Sequence, residues 1–458
     1  MSHLLRIRLK RGNMIRIKPV QSVAMGFASI ILIGAVLLTL PCASKSGTSQ
    51  GFLTALFTAT SATCVTGLVV VDTYTTWTIF GQIVILLLIQ TGGLGFMIVA
   101  TIFSLILGRK ISFQERLVLA ESINKDDVEG VVNLTRKIIL GTFLIEGTGA
   151  ALLSIRFIPM MGIVRGIYYG IFHAISAFCN AGFDIMGRFG KFCNFAPFVE
   201  DPLVNLVVMV LIIMGGLGFT VQNDIFSTKS FSRLHLHTKI VVITTASLLI
   251  GGFLFFYIVE YNNPQTLGPL SPGGKILAAM FMSVTPRTAG FNTISQSGMR
   301  TASAFFTIFL MFIGGSPGST AGGIKTTTIA VMVMTAFAVA RGHSETDAFQ
   351  KRIPQSILKK AFVLAFIGFS WLCTVTMVLV LADNVTVIQA LFESASAFGT
   401  VGLTLGITPT LSTTSRIALI VSMYFGRVGM LSIIAALSHR PERNQPVFSY
   451  PEEKIAIG

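Results

Sequence analysis

The sequence predicts an all-α polytopic membrane protein built from four pseudo-symmetric units, and two observations carry that prediction. The first is composition, because 52% of the 458 residues are hydrophobic and only 12% are charged, whereas soluble domains carry about 25% charged residues. The second is internal repetition, since a short loop with one glycine recurs at nearly constant spacing. These glycines, which lie 115, 108 and 112 residues apart, are Gly67, Gly182, Gly290 and Gly402. Such periodicity indicates one integrated fold.

Apolar stretches of two lengths follow one another along the chain. The long ones can cross a hydrocarbon core about 30 Å thick and are expected over residues 20–40, 77–107, 138–158, 202–226, 240–261, 302–340, 361–381 and 416–437. The short ones, at a rise of 1.5 Å per residue, reach only about half way across the membrane. They are expected to form re-entrant half-helices over residues 52–62, 166–178, 274–283 and 385–398. A cleavable signal peptide is rejected for the first stretch, because the first unit would lose its leading helix. Eight spans and four half-helices result.

Basic residues orient these spans. They cluster in residues 1–18, in the connections between units and in the tail, and an excess of Lys and Arg marks the cytoplasmic side. Both termini are therefore expected in the cytoplasm and all four re-entrant loops outside. The net charge of +15 reflects this asymmetry, so membrane lipid is the expected partner and nucleic acid is not. The predicted division is an arm over 1–19, repeats over 20–110, 138–228, 229–341 and 342–438, a cytoplasmic loop over 111–137 and a tail over 439–458.

The glycine-bearing loops predict a shared pathway. Non-helical backbone at membrane depth is tolerated only where protein buries it or water reaches it, so four matching loops indicate one central pore. The half-helices direct their C-terminal ends, which carry partial negative charge, at the membrane centre and favour a cation there. Each loop suits a strand-like path with its carbonyl groups turned to one side, although Thr-Val-Gly alone is also compatible with an ordinary turn. Asp72 and Asp184 follow two loops and are either solvated turn acids or part of a cation-attracting mouth.

Together the four helix–pore loop–helix repeats resemble the Trk/Ktr/HKT superfamily of K⁺ transporters, in particular the membrane subunit of bacterial Ktr-type K⁺ uptake systems. The resemblance covers the chain from about residue 20 to the tail. It implies a K⁺ selectivity filter formed by Val65, Thr66, Gly67, Asn180, Ala181, Gly182, Thr288, Ala289, Gly290, Thr400, Val401 and Gly402. It also implies a homodimer in the bacterial inner (plasma) membrane, Na⁺ as an activator, and a cytosolic nucleotide-binding ring subunit through which ATP or ADP regulates transport.

A glycine-rich stretch interrupts the sixth span. Five glycines and a proline cannot hold a regular helix, and the break falls near mid-membrane. The resemblance implies an intramembrane gate formed by Gly314, Gly315, Ser316, Pro317, Gly318, Ser319, Thr320, Ala321, Gly322, Gly323 and Lys325, with Arg427. A plain inter-helix turn is the alternative. A phosphate loop is rejected because Ile324 separates Gly323 from Lys325, no strand precedes the stretch and no acidic partner for Mg²⁺ is apparent, so no ATPase is predicted.

Arg427 lies within the last span, where a charge is costly and usually marks a pathway or a pairing partner. The resemblance places such an arginine below the filter, where it impedes the pore electrostatically. The alternative is a structural ion pair with Glu146 or Glu393, which are also intramembrane residues. Glu393, on the fourth half-helix, is in addition a candidate to brace its loop through hydrogen bonds.

Two other classes of function are weighed against a gated pore. The first is an alternating-access cation carrier for K⁺ or Na⁺, which is less favoured because carrier repeats are commonly inverted and these four run in the same direction. The second is an enzyme, and neither a nucleophile–base pairing nor a metal cluster in the sequence supports one. The five cysteines are scattered and the six histidines show no ligand spacing, so neither a metal site nor a disulfide framework is predicted.

Overall fold

The computed structural model of the chain describes residues 5–8, 14–17, 19–95, 97–99, 101–102, 111–122, 130–228, 230–343 and 345–429. Within these residues the regular elements are helices and two short antiparallel hairpins. One hairpin lies in the predicted N-terminal arm and the other near the start of the predicted fourth repeat. They pair β1 (Leu5–Arg8) with β2 (Met14–Ile17) and β3 (Asp347–Ala348) with β4 (Lys351–Arg352).

The helices follow one another in four groups. The first group holds α1 (Pro19–Thr39), α2 (Phe52–Thr63), α3 (Thr73–Thr76) and α4 (Ile79–Leu94), and α5 (Phe113–Ser122) lies in the connection after it. The second holds α6 (Val131–Met161), α7 (Ile163–Phe178), α8 (Pro202–Leu217) and α9 (Phe219–Ser227). The third holds α10 (Leu236–Glu260), α11 (Pro272–Val284), α12 (Thr301–Phe312) and α13 (Thr326–Ala340). The fourth holds α14 (Gln355–Ala382), α15 (Val387–Gly399) and α16 (Thr413–Val428).

Each group begins with a helix that is long and apolar enough to cross a membrane. These four described helices are α1, α6, α10 and α14, and the bent pair α8–α9 makes a fifth if it counts as one span. The protein is therefore a mostly helical membrane protein. Among the described residues, the predicted crossings 77–107 and 302–340 contain only shorter apolar helices, so a total of eight spans stays a prediction.

Three of the predicted spans are broken where a single helix is expected. α4, α8 and α16 end before Gly95, Gly218 and Gly429, whose φ angles are 86°, 94° and 90°. Glycine enters this left-handed region without steric cost and ends a helix there; between α8 and α9 the axis turns by 99°. The expectation of unbroken helices is therefore wrong for the stretches 77–107, 202–226 and 416–437. Their parts at 103–107 and 430–437 lie outside the described residues.

The four short helices are present close to their predicted bounds, and they form the interior of the protein. α2 buries eight of its twelve residues and α15 nine of its thirteen. The apolar windows of the four long helices bury only 28–33% of their residues, and Leu32, Ile33 and Val36 of α1 are more than half exposed. A water-soluble fold does not leave such an apolar surface open, whereas lipid covers it readily. The long helices thus surround the short ones.

Candidate cation pathway

The four glycine-bearing loops share one backbone conformation. The residue two positions before each glycine has a positive φ: Val65 50°, Asn180 58°, Thr288 67° and Thr400 51°. The four glycines have φ angles of 90°, 67°, 77° and 93° in chain order. Left-handed backbone costs a non-glycine residue, and most of all a β-branched one, so it persists only where the surroundings enforce it. The four loops therefore repeat the same pattern, with a left-handed residue at the glycine and another two positions before it.

The loops close on one another in a ring. A Cβ added to Gly67 would lie 2.5 Å from the carbonyl oxygen of Ala181, and one added to Gly182 would lie 2.7 Å from that of Ala289. The same addition at Gly290 would strike Val401, and at Gly402 it would strike Thr66 of the first loop. Each glycine therefore packs against the backbone of the next loop, in the order one, two, three, four and back to one. Only glycine fits at these four positions.

A hydroxyl group at the end of each short helix braces its loop, a feature the sequence analysis missed. The Ser61 and Ser396 hydroxyls accept the backbone N–H groups of Gly67 and Gly402 at 3.1 and 3.0 Å. The other two hydroxyls donate instead to the carbonyl of the residue after the glycine, in the pairs Ser176–Phe183 and Thr285–Phe291. Ser or Thr recurs five or six residues before each glycine, and this spacing was the available signal.

Glycines in the long helix that follows the loop in three groups allow close packing beside these loops. A Cβ on Gly92 of α4 would collide with the carbonyl of Thr63 at the end of α2. Gly215 of α8 and Gly426 of α16 meet the ends of α7 and α15 in the same way. The helices thus lie directly against the C-terminal carbonyl groups of the short helices, which explains why glycine occupies these three positions.

The glycine-rich loop between α12 and α13 is confirmed as an interruption, and its two ends are fastened together. Ile313 and Ile324 form a parallel bridge, and the Gly314 N–H donates to the Ile324 carbonyl at 2.8 Å. The Lys325 ammonium donates to the Ala321 carbonyl at 2.7 Å. Freed backbone groups at membrane depth need partners within the protein, and this closed loop supplies several of them itself.

The same loop touches the other groups. Its Ser316 N–H donates to Gly216 at 3.0 Å and its Gly323 N–H to Gly426 at 3.2 Å. Two further contacts reach candidate filter residues: the Gly322 N–H donates to the Thr400 hydroxyl at 3.1 Å, and the Thr320 hydroxyl lies 3.2 Å from the Asn180 side-chain amide. Ser316 and Thr320 are fully buried. The loop therefore lies against the inner ends of the second and fourth loops.

Arg427 holds this loop through backbone oxygens. Its guanidinium donates to the carbonyls of Thr320 and Gly92, and to that of Gly93 at 3.0 Å. Within the described part of the chain, the ion pairs are Arg156–Asp201, His235–Asp224 and Arg352–Glu345. The alternative of an ion pair between Arg427 and an intramembrane acid is therefore wrong.

The two intramembrane acids have other partners. Glu146 accepts a hydrogen bond from the Gln90 side chain at 3.1 Å. Glu393 accepts from the hydroxyls of Thr404 and Thr408, the second at 3.1 Å. Both threonines follow the fourth loop, so the expected bracing role of Glu393 is confirmed in the geometry.

Comparison with known proteins decides the family. The family model described as "TrkH: Cation transport protein" matches residues 15–445. The chain belongs to the TrkH family. Family membership makes it a cation transport protein and not an enzyme, in agreement with the resemblance seen in the sequence.

Individual relatives of this TrkH-family chain are similar over nearly its whole length. It is 42% identical to the potassium/sodium uptake protein NtpJ of Enterococcus hirae, over 97% of this chain and 98% of that protein. It is also 42% identical to the Ktr system potassium uptake protein B of Bacillus subtilis, with the same coverage of 97% and 98%. The crystal structure of the potassium transporter TrkH from Vibrio parahaemolyticus aligns with a TM-score of 0.72 at 17% identity, over 94% of this chain and 87% of that one, and supports the TrkH-family fold.

Asp72 and Asp184, the two acids that follow the first and second loops of this TrkH-family chain, accept hydrogen bonds from other parts of the protein. Asp72 is 7% exposed and accepts the backbone N–H of Phe192 at 2.9 Å, which links the first unit to the second. Asp184 accepts the Met186 N–H at 2.8 Å and the Asn194 amide at 3.0 Å. Burial raises the pKa of the Asp184 carboxyl to about 7. Neither residue is an ordinary solvated turn acid.

Proposed function

We propose that this chain carries K⁺ into the cell through a pore enclosed by its four glycine-bearing loops. The observation that carries the proposal is the cyclic packing of Gly67, Gly182, Gly290 and Gly402, each against the backbone of the next loop. Four loops in such a ring present backbone carbonyls to one axis, and rings of carbonyls replace the water shell of K⁺ in selective channels. Relatives at 42% identity that are named as potassium uptake proteins support the same ion.

The filter in this proposal consists of the three residues that end at each of those glycines. Only the fourth loop reads Thr-Val-Gly, while the others end in Val-Thr-Gly, Asn-Ala-Gly and Thr-Ala-Gly. Unequal loops offer fewer ideal carbonyl sites than four identical ones. K⁺ is therefore preferred over Na⁺, but less strictly than in a channel with four Thr-Val-Gly loops.

The gate in this proposal is the loop over residues 314–323 with Lys325, pinned by Arg427. It breaks a helix at mid-depth and lies beneath two of the filter loops through the contacts of Gly322 and Thr320. Arg427 adds a positive charge beside it, which opposes the passage of cations. Movement of the loop opens the path in this mechanism.

Regulation in this proposal comes from outside the chain. We place the protein in the bacterial plasma membrane as a homodimer with both termini in the cytoplasm. Each chain consists of the N-terminal arm, four repeats, cytoplasmic loop and tail predicted from the sequence. A cytosolic nucleotide-binding ring subunit responds to ATP or ADP, and the basic cytoplasmic loops meet it. The Ktr relatives are named as parts of a system, which supports a partner, and the name of the Enterococcus hirae relative includes sodium, which supports Na⁺ as an activator.

An alternating-access cation carrier is the second candidate. The breaks at Gly95 and Gly218 favour it, because discontinuous helices form the binding sites of many carriers. The closed ring of four loops favours the pore, since a carrier needs no such ring at its outer side.

Flux measurements on the purified chain in liposomes test the proposal. We expect saturable K⁺ flux that Na⁺ raises, with a reversal potential set mainly by the K⁺ gradient. Added ATP or ADP is expected to change nothing until the ring subunit is present. A reversal potential that shifts with a second ion in fixed stoichiometry would establish the carrier, and absence of K⁺ flux from well-folded protein would refute K⁺ transport by this chain.

A further inference from the structure

The short helices carry one matching position whose residue differs in all four units. Each short helix has a buried phenylalanine, namely Phe57, Phe172, Phe281 and Phe392, four residues before the hydroxyl that braces its loop. The residue directly after this phenylalanine lies nearly one helical turn before the hydroxyl. It is Thr58 in the first unit, His173 in the second, Met282 in the third and Glu393 in the fourth. All four are buried.

In the second unit this residue holds the segment that follows the loop glycine, which we call the outer arm of the loop. The Nδ1 atom of His173 lies 2.7 Å from the carbonyl oxygen of Tyr169, so Nδ1 carries the proton and donates it. Nε2 then has a free lone pair, and it accepts the backbone N–H of Ile185 at 3.3 Å. Ile185 comes three residues after Gly182. Because His173 is fully buried and packs edge-on against Phe157 and Phe172, its ring has little freedom to turn.

In the fourth unit the equivalent contact uses a carboxylate. Glu393 is fully buried and accepts the hydroxyl hydrogen bonds of Thr404 and Thr408. Thr404 comes two residues after Gly402, at nearly the same place in its loop as Ile185 in the second. A histidine and a glutamate thus make the same connection from short helix to outer arm, with different chemistry.

The first and third units lack this connection among the described residues. The Thr58 hydroxyl donates to the carbonyl of Thr54 in its own helix, at 2.9 Å. Met282 has an apolar side chain that packs with its neighbours. The outer arm of the third loop is instead tied to the second unit, where the Asn292 N–H donates to the side-chain oxygen of Asn194 at 3.2 Å.

The ring order places the two braced loops opposite each other. Gly182 packs between the first and third loops, and Gly402 packs against the first while Gly290 packs against the fourth. Loops two and four therefore face each other across the axis. A site that coordinates a bare ion works only when its ligands are held by supporting residues with locked conformations.

We propose that His173 and Glu393 are positioning residues that hold one diagonal pair of filter loops rigid and thereby set the discrimination between K⁺ and Na⁺. This inference rests on the proposed function of the loops. Without the two braces, the carbonyls of loops two and four can move inward onto the smaller Na⁺ ion. The other two loops lack this connection from the short helix, so removal of these two side chains is expected to affect the discrimination most.

Substitutions that keep volume and remove the acceptor test the inference in the full-length chain. Glu393→Leu and His173→Leu are expected to lower the ratio of K⁺ to Na⁺ flux in liposomes by about two- to tenfold, the range that one buried hydrogen bond spans. Glu393→Gln and His173→Gln keep one acceptor and are expected to restore most of the ratio. Thr58→Val is the matched control at the same position in the first unit, which lacks this connection, and is expected to leave the ratio unchanged.

Hydrogen exchange provides a readout that is independent of flux. The amide of Ile185 and the peptide over residues 403–408 are expected to exchange faster in the leucine variants, and those of the first loop to exchange as in the parent. If Glu393→Leu does not fold, the Thr404→Val/Thr408→Val double variant removes the same hydrogen bonds from the other side and is expected to lower the flux ratio equally.

The outcomes separate this inference from the proposed function. A parent chain without selective K⁺ flux would overturn the proposed function itself. A K⁺-selective parent whose folded leucine variants keep the same flux ratio would overturn only the positioning role. A loss of selectivity in Thr58→Val as large as that in Glu393→Leu would also overturn it, since the effect would then not depend on the braces.

Discussion

Arg427 donates a hydrogen bond to the backbone carbonyl oxygen of Thr320, although 107 residues separate the two along the chain. Thr320 lies in the glycine-rich loop, and its hydroxyl in turn lies 3.2 Å from the side-chain amide of Asn180 in the second glycine-bearing loop. One guanidinium is thus connected through the candidate gate to the candidate filter. This arrangement suggests where the pathway is controlled.

Replacing Arg427 removes both its hydrogen bond to the glycine-rich loop and a positive charge. We expect Arg427→Ala to raise K⁺ flux by up to about fifteenfold, because two unit charges about 10 Å apart at an effective dielectric constant of 20 interact by roughly 1.7 kcal/mol. The measurement is K⁺ flux in liposomes at equal protein density. Arg416→Ala is the matched control, since Arg416 lies near the other end of α16 and donates to Pro409. Equal flux in the parent and Arg427→Ala would show that Arg427 does not restrict the path.

Shortening the glycine-rich loop tests whether it is the gate. Deletion of residues 316–321 removes the contacts to Gly216 and Asn180, and we expect higher K⁺ flux with an unchanged ratio of K⁺ to Na⁺. Thr320→Val keeps the length of the loop and loses only the hydroxyl, so we expect an intermediate increase. If the folded deletion variant conducts no faster than the parent, the loop is a structural turn and the gate lies elsewhere.

Gly290→Ser places a side chain where the third loop touches the fourth. The added Cβ would strike the carbonyl of Val401, and the φ of 77° at this position is unfavourable for serine. We expect the apparent K⁺ affinity to fall by roughly tenfold, since overpacking of this kind costs about 1–3 kcal/mol, and Na⁺ to compete better. Uptake kinetics in a host deficient in K⁺ uptake provide the measurement. Gly273→Ser, in open space at the start of α11, is the control and should behave as the parent.

External pH is expected to act through Asp184. Burial raises the pKa of this carboxyl to about 7, so Asp184 is mostly neutral at pH 6 and mostly negative at pH 8. A negative charge at the mouth attracts cations, and we expect the apparent K⁺ affinity to rise from pH 6 to pH 8 in the parent but not in Asp184→Asn.

Glu200 is the matched control for the pH experiment. Hydrogen bonds from Ser271 hold the pKa of the Glu200 carboxyl below its usual range, so it stays ionised from pH 6 to pH 8. Glu200→Gln should therefore keep the pH dependence of the parent. A pH dependence that persists in Asp184→Asn would assign the titration to another group.

The sequence by itself determined the class of protein and the position of the loops. Composition excludes a soluble fold because 12% charged residues cannot cover a protein of this size in water. The spacing of Gly67, Gly182, Gly290 and Gly402 predicts four equivalent loops, since only glycine tolerates such a close approach of backbones. Five glycines and a proline around Pro317 predict a broken helix for equally local reasons.

Only the tertiary structure decided which groups meet. Hydropathy continues across Gly95, Gly218 and Gly429, so nothing local shows that the helices end there. From the sequence, Arg427 could either act at the gate or form an ion pair with an intramembrane acid. In the folded chain it donates hydrogen bonds to backbone carbonyls of two other units. Nothing in the sequence distinguishes His173 from other histidines, and only the structure shows that its Nε2 accepts the Ile185 N–H. The partner of a buried polar group depends on which distant segments pack around it, and residue spacing along the chain does not encode that arrangement.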